Sequence, residues 1–122
     1  MPRRTLDEAL LHPAIRDKVA NLHVDIVHNV QSAAASNPVL VVGMMGNPFS
    51  RRARRVLTDA GIPFKYLGYG SYLSQWRQRS ALKMWTGWPT LPMVFVRGSL
   101  VGGADDLKKL IDSGELKRLL GE

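Results

Sequence analysis

An α/β domain built on one mixed four-stranded sheet flanked by helices is the fold class this 122-residue chain predicts. Two observations carry it. The apolar run Val39-Leu40-Val41-Val42 has the composition of a fully buried strand. It is followed by a glycine turn, a helical stripe and a second extended stretch, Ile62 to Leu67, and a strand–helix–strand crossover pairs its strands in parallel. Later, Met93-Val94-Phe95-Val96 and Leu100-Val101 flank Arg97-Gly98-Ser99, which reads as a hairpin and is therefore antiparallel.

The elements follow in order. Thr5-Leu6-Asp7-Glu8 offers a cap and an acidic first turn for a short helix. Pro13 then opens a longer one, with Ile15, Val19, Leu22, Ile26, Val27 and Val30 at three- and four-residue spacing, predicting a single helix from about Pro13 to Ala35. Ser36-Asn37-Pro38 ends it. After Val42, Gly43-Met44-Met45-Gly46 turns the chain into Asn47, a good N-cap, with Pro48 at the first helical position and Phe49, Ala53, Val56, Leu57 and Ala60 as the apolar stripe. Gly61 stops that helix. A further helix is expected through Trp76, Leu82 and Trp85, capped by Ser71 or Ser74. Trp88-Pro89-Thr90-Leu91-Pro92 is too rich in proline for helix or central strand. Gly102-Gly103 leads into a last helix with Asp105 and Asp106 in its first turn, and Gly114 separates it from a final segment, Glu115 to Leu120.

Composition narrows the chemistry. The chain has no cysteine, which excludes disulfides, thiolate metal sites and thiol catalysis. The formal net charge is +7, concentrated at Arg3-Arg4, Arg51 to Arg55 and Arg77 to Lys83. That balance fits nucleic acid, an anionic surface, an anionic small ligand or simply a solvated basic face. No apolar run approaches the ~18 residues of a membrane span, and no apolar core follows Met1-Pro2-Arg3-Arg4, so a soluble cytoplasmic protein without a secretory signal is expected. His12, His23 and His28 all lie in the N-terminal region, and their spacing is not that of a zinc helix, so no metal site is expected.

Asn47-Pro48-Phe49-Ser50 after a strand and turn, Trp88-Pro89-Thr90-Leu91-Pro92, Val94 to Gly98, and Leu100-Val101-Gly102-Gly103-Ala104-Asp105 occur in an order that resembles the glutaredoxins, most nearly their monothiol branch. Members carry Cys-Pro-Tyr-Cys or Cys-Gly-Phe-Ser at the first place, Trp-Pro-Thr-aromatic-Pro at the second and Gly-Gly-x-Asp at the third. The resemblance implies a thioredoxin-like (glutaredoxin) fold over residues 37–122, with residues 1–36 as an N-terminal helical extension longer than the usual first helix.

It also implies a site. Asn47 falls where the family keeps its nucleophilic cysteine and Ser50 where dithiol members keep the resolving one. A carboxamide is not a nucleophile at neutral pH, and serine forms no disulfide, so this nucleophile position is degenerate and no catalytic residue is expected. A cluster that monothiol members hold through the cysteine loses its protein ligand as well. Leu91-Pro92 fits the family's cis-proline loop, where the Leu91 backbone pairs with the peptide backbone of glutathione and Thr90 lines the groove. Gly103, Ala104 and Asp105 offer N–H groups and a carboxylate to a γ-glutamyl group, with Asn47 and Phe49 at the groove's other wall. Met44 stands about where members place a groove lysine. Arg77, Arg79 or Lys83 is left to meet the glycine carboxylate, with Arg77 the choice carried forward.

Four readings result. First is a redox-inactive glutaredoxin-like protein whose groove takes glutathione or a γ-glutamyl or thiol ligand. Second is an interaction module whose basic helix, Arg51 to Arg55, docks on an acidic protein. A glutathione-dependent disulfide oxidoreductase of cell redox homeostasis is what family membership alone would imply. Nucleic-acid binding through Trp76, Trp85 and Trp88 is a minority reading, since the first two look like core or groove residues and the third matches the family loop.

Overall fold

The computed structural model describes residues 3–71 and 73–121, so Met1 and Pro2 of the basic start lie outside the described residues. Four strands form one sheet in the order β2-β1-β3-β4, with β1 at Val39–Gly43, β2 at Lys65–Gly68, β3 at Met93–Val96 and β4 at Ser99–Gly102. β1 runs parallel to β2 and antiparallel to β3, and β3–β4 is the antiparallel hairpin. The mixed sheet is as the sequence predicts. β2, however, starts three residues later than expected: Ile62 is buried as the chain turns out of the preceding helix, and pairing begins only at Lys65.

The described residues form six α-helices: α1 at Pro13–Ala20, α2 at Val24–Ser36, α3 at Pro48–Asp59, α4 at Trp76–Thr86, α5 at Ala104–Asp112 and α6 at Glu115–Leu119. The alternation of a strand sorts their partners. Leu40, Val42, Met93 and Phe95 face α2 and α4, packing with Ile26, Val30, Ala34 and Leu82. Val39, Val41, Val94 and Val96 face the other layer, with Ala53 and Leu57 of α3, Leu107 of α5 and Leu116 of α6. Every residue of β1 is buried, as a central strand between two helix layers must be.

The single helix predicted from Pro13 to Ala35 is two helices. The Asn21 N–H and side-chain Nδ2 both donate to the Asp17 carbonyl, which ends α1, and His23 takes a left-handed conformation at φ 44° before α2 begins. The apolar spacing runs on through this break and conceals it. Only α2 joins the core; η1, a 3-10 turn at Glu8–Leu10, and α1 bury no residue. The expected cap at Thr5 is replaced by Asp7, whose side chain accepts from the Ala9 N–H.

α4 also starts differently from expectation. Its first residue follows Gln75 in the left-handed region, with no side-chain cap, because Ser74 Oγ instead accepts from the Ser71 N–H within the loop. At the far end of α4, Arg3 donates to the Thr86 carbonyl, tying the start of the chain to a helix C-terminus where a cation is favoured.

Candidate functional site at the ends of β1 and β3

The turn after β1 and the loop before β3 meet at one end of the sheet. Asn47 caps α3 as its sequence suggests: Oδ1 accepts from the Ser50 N–H at 2.9 Å, and the residue is 8% exposed. Ser50 is fully buried. Its Oγ accepts a long 3.4 Å bond from the Met44 N–H, and it sits against Gly43 so closely that a Cβ there would lie 2.6 Å from that Oγ. A hydroxyl so enclosed has no access to a substrate. Phe49, by contrast, is exposed beside Asn47, as is Met45 in the turn.

The Leu91–Pro92 peptide bond is cis, and Pro92 is fully buried while Thr90 is exposed beside it. Neither the N–H nor the C=O of Leu91 has a backbone hydrogen-bond partner among the described residues. This loop meets the start of α5: a Cβ on Gly103 would stand 3.6 Å from the Pro92 carbonyl oxygen and 3.9 Å from the Trp88 ring. Trp88 Nε1 is buried there without a hydrogen-bond partner.

At the head of α5 the groups are partly engaged. The Gly103 N–H donates to Asp106 Oδ2 at 3.0 Å, half of a capping box. Ala104 and Asp105 follow in the first turn, where helix geometry supplies no internal acceptor for the N–H groups. Asp105 is held by Arg52 of α3, Nη1 to Oδ1 at 2.5 Å. That ion pair joins the two helices flanking the site, yet both side chains are well exposed, so it is worth no more than about 1 kcal/mol and an incoming ammonium can share or displace it. Sequence reasoning had no signal for this pairing across 53 positions.

The basic residues divide. Arg54 lies 4.1 Å over the Tyr66 ring. Arg51 and Arg55 are exposed. Arg77 is exposed with its guanidinium 5.2 Å over the Trp76 ring, so its described contact is with its neighbour rather than with Leu91 or Asp105. Arg79 is buried and donates to the Tyr69 and Ser74 carbonyls, fixing the loop before α4, so it is not available to a ligand carboxylate. Met44 is buried in the core, and Trp76, expected in core or groove, is exposed at 59%. Trp85 does pack inward, stacked on Phe95. Among the described residues no group of histidine, aspartate and glutamate could hold a metal ion.

Burial raises the pKa of the Tyr69 phenol above its ordinary value. Tyr69 continues the sheet past β2, its N–H donating to the Gly43 carbonyl, while Met45 N–H donates to Gly70. The site turn is therefore laced to the loop that leads into α4.

The sequence profile described as Glutaredoxin matches residues 39–101, from β1 through the β3–β4 hairpin. A glutaredoxin-like protein of Dictyostelium discoideum is 46% identical over 102 residues, covering 84% of this chain and 83% of that protein. A mitochondrial monothiol glutaredoxin of Lachancea kluyveri is 31% identical over 130 residues, covering 96% of this chain and 90% of its own. Among solved structures, a buckwheat glutaredoxin–glutathione complex superposes with a TM-score of 0.69 at 22% identity, over 83% of this chain and 92% of that one. With a strand–turn–helix, a cis-proline loop and a Gly-Gly helix start meeting at one end of a β2-β1-β3-β4 sheet, the chain belongs to the glutaredoxin family.

Proposed function

We propose that this protein uses the glutaredoxin scaffold without its redox chemistry, as a binder of glutathione or another γ-glutamyl or thiol peptide. One observation carries the reading: the Leu91 backbone, the first turn of α5 and Asp105 converge beside a capping Asn47 in a chain with no cysteine. Thiol–disulfide exchange needs a thiolate to attack sulfur, and neither the Asn47 carboxamide nor the enclosed Ser50 hydroxyl supplies one. The parts that remain suit binding. An extended peptide meets free donor and acceptor groups at Leu91, a γ-glutamyl carboxylate meets N–H groups at the positive end of α5, and its ammonium meets Asp105. The buckwheat relative binds glutathione on the same fold. A cytoplasmic setting, rich in such ligands, goes with this reading, and cell fractionation would test it.

Glutathione titration followed by proton–nitrogen correlation spectra tests the binding half. Saturable shifts at Leu91, Ala104 and Asp105 are expected, and their absence at millimolar ligand removes the reading. A hydroxyethyl-disulfide assay tests the other half. The parent protein should turn over nothing, and Asn47→Cys should gain activity if the groove is intact.

The exposure of Met45, Phe49, Arg51 and Arg55 around the same turn favours a second reading, an acidic protein partner docking at α3. Arg51→Glu with Arg55→Glu would abolish such docking and leave glutathione shifts unchanged.

A further inference from the structure

The geometry points to a second ligand site, at the opposite end of the sheet, for a small amphipathic anion: a carboxylate or phosphate carried on an apolar body. A cavity of about 460 Å³ opens there, where β1 and β2 begin and β3 ends. Strands four or five residues long at about 3.3 Å per residue put it roughly 15 Å from the Asn47 turn, so it is a separate place and not an arm of the groove. Its volume falls within the ~300–1,000 Å³ typical of small-molecule pockets.

Two kinds of wall define the ligand. Ile62, Pro63, Phe64 and Leu120 supply apolar surface, and Lys65, Arg97 and Lys117 supply positive charge. None of the three cations lies in a salt bridge with a described carboxylate. Two helix C-termini do approach, that of α3 at Ala60 and that of α6 at Leu120. Each contributes about half a negative charge, and the α3 carbonyls of Leu57 and Thr58 are already taken by the Ile62 and Gly61 N–H groups. Among the described groups, three cations against two half-charges leave an excess of about +2, so complementing the helix ends does not exhaust them.

Arg97 adds an independent observation. It occupies the first turn position of the β3–β4 hairpin with φ at 52°, followed by Gly98 at 82°, the pattern of a turn that prefers asparagine or glycine at that first position. An arginine there works against the backbone preference. Its guanidinium is not idle: Nη2 donates to the Leu120 carbonyl at 2.9 Å, which holds the fork at the cavity wall, and its other donors have no partner among the described residues. A planar fork beside two lysines suits carboxylate or phosphate, and the apolar wall requires that the anion carry a hydrophobic part.

Octanoate and octyl phosphate, titrated into the full chain under correlation spectra, test the site. Saturable shifts at Phe64, Lys65, Arg97 and Lys117, without shifts at Leu91 and Asp105, are expected. Lys65→Glu and Lys117→Glu should each weaken binding by roughly tenfold or more. Both lysines are exposed on the surface, so the variants should fold, which circular dichroism would check, and glutathione shifts in them should match the parent. The site is refuted by no saturable shift at millimolar ligand, by inorganic phosphate binding as well as octyl phosphate, or by charge reversals that leave affinity unchanged. A glutamate-rich peptide producing these shifts while octanoate does not would also refute it, in favour of a protein contact. A failure here leaves the glutathione groove untouched.

Discussion

Replacing Asn47 with alanine removes one hydrogen bond whose worth can be worked from its surroundings. An N-cap of this type contributes about 0.5–2 kcal/mol. Here the donor is the N–H of Ser50, a residue with no exposure, so water cannot replace the lost acceptor. An orphaned buried donor costs about 1–3 kcal/mol, which places Asn47→Ala in the upper part of the cap range, about 2 kcal/mol. For a domain of this length that lowers the melting temperature by about 6–8 °C. Asn47→Ser keeps an acceptor and should recover most of the loss. Asn47→Asp keeps it too and adds a charge that the α3 N-terminus favours, so it should melt at or above the parent. Thermal and urea unfolding by circular dichroism measure all three. An alanine variant that melts within about 1 °C of the parent, or a serine variant as unstable as alanine, would show that the cap does not explain the residue.

Three further outcomes are expected. Gly43→Ala places a Cβ 2.6 Å from Ser50 Oγ and 2.8 Å from Ser50 Cβ, at the buried end of β1, and should cost about 1–3 kcal/mol by urea unfolding, partly recovered when Ser50→Gly is added. Arg52→Ala should change stability by less than about 1 kcal/mol, because its pair with Asp105 is exposed, yet tighten glutathione binding in the same spectral titration by freeing that carboxylate. The raised Tyr69 pKa means the unfolded chain releases this proton first, so its contribution is fully present below the ordinary value of 10.0 and is lost as pH rises through and above it. Tyr69→Phe should therefore flatten the alkaline limb of stability against pH, measured by urea unfolding at stepped pH.

What the sequence made legible was whatever local rules decide. Pro38, Gly61 and Gly102-Gly103 punctuate the chain where the elements change, and the apolar run at Val39 is as buried as its composition requires. The cap at Asn47 follows from residue type and from Pro48 after it. What stayed hidden depends on tertiary neighbours. The break at Asn21 to His23 leaves the apolar spacing intact, because Ile15, Val19 and Leu22 have no core to face and remain about 40% exposed. Asp105 looked free because nothing in a sequence announces that α3 will bring Arg52 to it. Arg79 looked like a surface cation for the same reason, although it is buried on two carbonyls of its own loop. The basal cavity was invisible too, since Lys65, Arg97 and Lys117 belong to three separate elements.

These contacts also reorder the meaning of the net charge. Counted along the sequence, the basic residues fit a polyanion such as nucleic acid, which draws its affinity from a continuous track of cations. In the fold, Arg52 answers Asp105, Lys108 answers Asp112, Arg118 answers Glu115, Arg54 covers Tyr66 and Arg79 is buried in its loop. The cations that remain at the two ends of the sheet form separate groups: Arg51 and Arg55 beside the Asn47 turn, and Lys65, Arg97 and Lys117 around the basal cavity. Two short clusters separated by the length of the sheet do not make the continuous track that a long polyanion needs. The net charge therefore divides between two separate surfaces: Arg51 and Arg55, which fit the proposed acidic partner at α3, and the three cations of the basal cavity, which fit the proposed amphipathic anion.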